Sequence, residues 1–93
     1  MHDPRLQEVL NFIGANVRRI RLKRGMTQQE LADAAAVGLR YLKKVEHAQT
    51  NVGMAGLVKL ADALGVRPGV LLRPRELPPV KRGRPRKARP REP

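Results

Sequence analysis

Along residues 1–72 the apolar positions recur at helical spacing and never alternate over the length of a strand, which predicts an all-α unit. Asp3 can cap a first helix, and Pro4 suits its first turn because it has no N–H to leave unpaired. Leu6, Val9, Leu10, Ile13, Val17 and Ile20 then follow one face until Gly25 stops the helix. Thr27-Gln28-Gln29-Glu30 has the form of a capping box, in which the threonine hydroxyl accepts from the N–H of the third helical residue while the glutamate reaches back. That second helix should be short, ending near Ala35. After a break at residues 36–38, a third helix is predicted from about Leu39 to His47, with Leu42 and Val45 facing inward. A fourth carries Met54, Leu57, Val58, Leu60, Ala61 and Leu64 and stops at Gly65, and a last turn over Pro68–Leu72 closes the unit. The fold class expected is therefore all-α, with five short helices around one small core.

The pattern changes after Leu72. Residues 73–93 carry nine Lys and Arg against two acidic residues, whereas residues 1–72 carry eleven against six. The second stretch also holds six of the eight prolines, and only Leu77, Val80 and Ala88 offer apolar surface. It cannot bury enough to fold alone, so the expected organisation is a folded domain over 1–72 and an extended, mobile basic tail over 73–93.

Charge sharpens the choice of partner. A formal net charge of +12 and a pI near 11.6 repel themselves unless a polyanion neutralises them, which implies nucleic acid or an anionic membrane surface. Membrane-surface helices carry Trp or several Phe, whereas this chain has one Phe and no Trp, so nucleic acid is favoured. The absence of cysteine excludes disulfides and thiolate-held metals, and no signal-peptide pattern or apolar span is visible. A cytoplasmic, nucleoid-associated protein is the expectation, with no cofactor and no membrane partner.

The stretch Met26-Thr27-Gln28-Gln29-Glu30-Leu31-Ala32, followed by Tyr41-Leu42, Val45-Glu46 and Leu57-Val58-Lys59-Leu60-Ala61-Asp62-Ala63-Leu64-Gly65-Val66, resembles the phage-repressor-like (XRE or Cro-type) helix-turn-helix family. The resemblance covers roughly residues 17–72, with the helix-turn-helix itself inside 17–48. It implies that the second helix lies across the DNA backbone while the third enters the major groove. Leu39, Arg40, Lys43 and Lys44 fall where the family reads bases or nearby phosphates, Gln28 falls where it holds a phosphate, and Gly38 at the start of the third helix and His47 at its end complete the candidate DNA-binding residues. Arg21 and Glu46 match a family pair that bridges the first helix to the end of the reading helix.

Independently of family, Arg40, Lys43, Lys44 and His47 are three and four apart, which places them on one helix face opposite Leu42 and Val45. Close cations repel one another without an anion, although a merely solvated basic face has the same pattern. Leu39 suits either a thymine methyl or the core edge, and Gln28 suits either a phosphate or plain solvent.

Some positions depart from the family pattern. Ala36 stands where the turn takes glycine; Gly38, Gly53 and Arg67 stand where polar caps are usual; and Gly56 interrupts the fourth helix at about 1 kcal/mol relative to alanine. The fourth helix is accordingly expected to fray or to be held by a partner.

The tail contains Lys81-Arg82-Gly83-Arg84-Pro85-Arg86-Lys87, which resembles an AT-hook. Gly83 lets the backbone approach the groove floor, Pro85 favours extension, and Arg82 and Arg84 suit the negative potential of a narrow minor groove. Plain phosphate binding by Lys81, Arg82, Arg84, Arg86 and Lys87 is an alternative, as is a merely solvated polybasic tail. Catalysis has no support, because His2 and His47 lack a carboxylate pair, a nucleophile or a phosphate loop beside them.

Together these features point to a sequence-specific transcriptional regulator that binds double-stranded DNA, expected to act as a homodimer. An architectural DNA binder of low specificity, or an antitoxin- or antiactivator-type module that grips a protein partner, are the alternatives.

Overall fold

The computed structural model describes residues 3–75, and within them the chain forms helices and no strand. The helices are α1 (Pro4–Lys23), α2 (Gln28–Ala35), α3 (Leu39–Glu46), α4 (Met54–Leu64) and α5 (Pro68–Leu71). The all-α expectation holds, and the boundaries agree with the local chemistry that sets them. The Asp3 side chain accepts from the Arg5 N–H at 2.9 Å, with Pro4 in the first turn, and Gly25 takes a φ of 69° just beyond the end of α1. At α2 the capping box closes in both directions: Thr27 Oγ1 accepts from the Glu30 N–H at 3.0 Å, and Glu30 Oε1 accepts from the Thr27 N–H at 2.8 Å.

Long α1 is the spine. It packs against α3, α5 and α4, while α2 packs against α3 and α4. Leu10, Ile13, Val17 and Ile20 of α1 meet Leu31, Leu42, Val45, Leu57, Leu60, Leu64 and Leu71 in one core. Leu6 falls outside it, 38% exposed in the first turn of α1, and on α4 Met54 and Val58 face solvent. Among the described residues no helix is long and apolar enough to cross a membrane.

Among the described residues, Asn16 is the one uncharged polar side chain that is buried, at 1% exposure. Its Nδ2 donates to the carbonyls of Leu71 at 3.0 Å and Arg73 at 2.9 Å, and its Oδ1 accepts from Arg75 Nε at 2.9 Å. The chain is thus held to α1 as far as Arg75, three residues beyond the boundary expected at Leu72. The tail expected over 73–93, from residue 76 onward, lies outside the described residues.

Ala36, where glycine is usual, ends α2 in the left-handed region at φ 57° and ψ 44°, with its side chain exposed. An L-residue there carries roughly 1–2 kcal/mol of strain, partly offset because glycine loses more conformational freedom on folding. Ala36→Gly is expected to stabilise the fold by about 0.5–1 kcal/mol, read as a higher urea midpoint with unchanged slope. A lower midpoint would show that the turn does not hold this conformation.

Candidate nucleic-acid interface

Helix α3 presents two opposed faces. Leu42 and Val45 are fully buried, while Arg40, Lys43, Lys44 and His47 are all exposed, so three cations and a histidine lie together on the outside. The face is held from behind by the core rather than by pairing of its charges. Leu39 is half-buried and packs against the core, which supports its core-edge reading. Gly38 caps α3 without a side-chain hydrogen bond and has nothing near its missing Cβ, so the start of the helix is uncovered.

The position of that face is set by a buried ion pair. Arg21 Nε donates to Glu46 Oε2 at 2.6 Å and Nη2 donates to Oε1 at 3.0 Å, a two-pronged contact between the last turn of α1 and the last residue of α3. Arg21 Nη1 also donates to the Met26 carbonyl at 2.9 Å, tying in the turn before α2. The two residues matched to the family pair are thus brought together. Gln28, expected at a phosphate, has its Nε2 donating to Glu46 Oε1 at 3.1 Å and is half-buried.

Two glycines fit the helices closely around this node. A Cβ on Gly14 would lie 2.6 Å from the Val45 carbonyl oxygen, so α1 and α3 approach there to backbone contact. A Cβ on Gly56 would overlap the Tyr41 hydroxyl, and α4 runs unbroken through this position. Gly56 is therefore a socket for the Tyr41 ring within a helix that spans Met54–Leu64. Burial holds the Tyr41 phenol above its ordinary pKa, which keeps the neutral hydroxyl at that contact. Gln7, on the opposite end of α1, donates from Nε2 to the Ala48 carbonyl at 3.0 Å and so secures the turn after α3, where Ala48 has a φ of 56°.

None of Asn16, Gly14 or the fit of Tyr41 to Gly56 was singled out by sequence reasoning. The available signals were weak: an asparagine between Ala15 and Val17 on an otherwise apolar stretch, and glycines inside helical periods. Lys81, Arg82, Gly83, Arg84, Arg86 and Lys87 lie outside the described residues.

Residues 17–71 match the helix-turn-helix family, a span that holds the ion pair, the capping box and the exposed face of α3. The chain belongs to the helix-turn-helix family. Membership makes it a DNA-binding regulator of transcription rather than an enzyme. It is 31% identical over 72 residues to an uncharacterized HTH-type transcriptional regulator of Sinorhizobium fredii, covering 77% of this chain and 94% of that one. Among solved structures, the restriction-modification controller protein C.AhdI of Aeromonas hydrophila superimposes with a TM-score of 0.65 at 34% identity, over 67% of this chain and 94% of the controller. A hypothetical transcription factor from Neisseria gives a TM-score of 0.70 at 31% identity, over 80% of this chain and 85% of its own.

Proposed function

We propose that this helix-turn-helix protein is a sequence-specific transcription regulator that sets α3 in the major groove, with Arg40 near its N-terminus at a base edge and Lys43, Lys44 and His47 at bases or neighbouring phosphates. The observation that carries this reading is the rigid backing of the exposed cationic face: α3 buries Leu42 and Val45, and its last residue is pinned by Arg21. A base reader has to be held, since its hydrogen bonds carry sequence information only at defined geometry, whereas phosphate contacts position without reading.

A second copy of the chain is the partner that suits operator binding, because a two-fold dimer presents two reading helices about one turn of DNA apart, near 34 Å. Met54 and Val58, one turn apart on α4 and exposed, offer apolar surface for such a contact. Similarity to a restriction-modification controller protein favours a regulatory role. The basic tail adds affinity, through phosphates or through an Arg82-Gly83-Arg84 contact in an A·T-rich minor groove.

Selection of bound genomic fragments supplies the test. A recovered palindrome with half-sites one turn apart is the expected result, and on that site Arg40→Ala should cost about 1–3 kcal/mol while relaxing preference at one position. An equal loss on random DNA would reduce Arg40 to a phosphate contact. Selection that enriches no motif would favour the architectural reading, and absence of DNA binding at moderate salt the protein-interaction one.

A further inference from the structure

In helix-turn-helix proteins the second helix of the motif enters the major groove while the first crosses the backbone, and in this chain one carboxamide links the two. Gln28 is the first residue of α2, Glu46 is the last residue of α3, and Gln28 Nε2 donates to Glu46 Oε1 at 3.1 Å. The acceptor is already fixed: Glu46 is 4% exposed and held at both oxygens by Arg21, itself 7% exposed. The start of α2, the end of α3 and the last turn of α1 therefore meet at one carboxylate. A carboxylate offers about four acceptor positions, and Arg21 uses two of them, so a third donor adds no competition with the pair.

We propose that Gln28 is a positioning residue for the reading helix: its inward hydrogen bond to the buried Arg21–Glu46 pair sets α3 against α2, and thereby sequence discrimination. The proposal rests on the reading that α3 enters the major groove. It differs in consequence from a phosphate-holding role for Gln28. Removing a phosphate ligand would weaken binding to every DNA alike, whereas a loosened α3 blunts the geometry-dependent base contacts first and leaves the sequence-independent attraction of the cations in place.

The test uses the full chain with Gln28→Met, which keeps length and removes the donor, and Gln28→Ala beside it. In the free protein, loss of a hydrogen bond to a buried charge should lower the folding equilibrium constant about tenfold or more, while a Gln28 that only faced solvent would leave it nearly unchanged. On DNA, at protein concentrations and temperatures where both variants are folded by circular dichroism, binding to the selected site should weaken about tenfold and binding to random DNA less than threefold, so that discrimination falls. A fold that is merely less stable would not change that ratio. Equal losses on both DNAs overturn the proposal in favour of a phosphate contact, and an unchanged folding equilibrium overturns the inward bond itself. Wild-type protein that does not discriminate between the DNAs overturns the groove reading instead, and is recognised by the wild-type measurement alone.

Discussion

Glu46→Ala is expected to remove about 3–5 kcal/mol of folding stability. The carboxylate is 4% exposed, and its loss strands an arginine that is 7% exposed with two of its donors aimed at empty space. Arg21 keeps only the Met26 carbonyl at 2.9 Å, a neutral acceptor that cannot compensate a desolvated charge. Small domains are stable by roughly 5–15 kcal/mol, so a loss of this size takes a large share of the fold's margin. Urea denaturation followed by circular dichroism should show the midpoint moving sharply down with the slope retained. The cost comes from breaking the pair rather than from the pair's intrinsic worth: Arg21→Met with Glu46→Leu together should recover much of the loss, because apolar residues of similar size carry no desolvation penalty. A loss below about 1 kcal/mol for Glu46→Ala would mean that the two charges meet in water, as ordinary surface pairs do.

The pair was visible in the sequence as a resemblance, and its burial was not. What periodicity and capping chemistry determine, they determine well: Thr27 and Glu30 close the box they spell, Gly25 and Gly65 stop their helices, and Leu42 and Val45 turn inward while Arg40 and Lys44 turn out. These are properties of a few neighbouring residues. The features that escaped are fits between distant ones. Gly56 reads as a weak point in a helix because local propensity sees only the missing side chain, and it takes the Tyr41 ring, fifteen residues earlier, to make the vacancy useful. Asn16 looks like a polar fault on an apolar face until the carbonyls of Leu71 and Arg73 arrive to satisfy it. Gln28 could be placed at the start of α2 from sequence, yet whether its carboxamide faces solvent or Glu46 depends on where α3 ends in space.

Gly14→Ala puts the closest of these fits to the test, and it is expected to destabilise the fold by about 2–3 kcal/mol. Local propensity alone predicts the opposite, since alanine inside α1 should gain about 1 kcal/mol over glycine. Packing outweighs that gain because the new Cβ would sit 2.6 Å from the Val45 carbonyl oxygen and 2.9 Å from that of Glu46, and both are backbone atoms that cannot rotate aside. Helix α1 would have to withdraw from the end of α3. Arg21 lies two turns further along the same face of α1, so withdrawal also stretches the contact with Glu46 and the penalty reaches the ion pair. Gly69→Ala in α5, where nothing stands within 4 Å of the missing Cβ, is the matched control and should be neutral or slightly stabilising. The urea midpoint of Gly14→Ala should therefore fall while that of Gly69→Ala holds or rises slightly. If Gly14→Ala instead rises with the control, α1 and α3 do not approach to backbone contact, and the close seat of α3 on α1 is wrong.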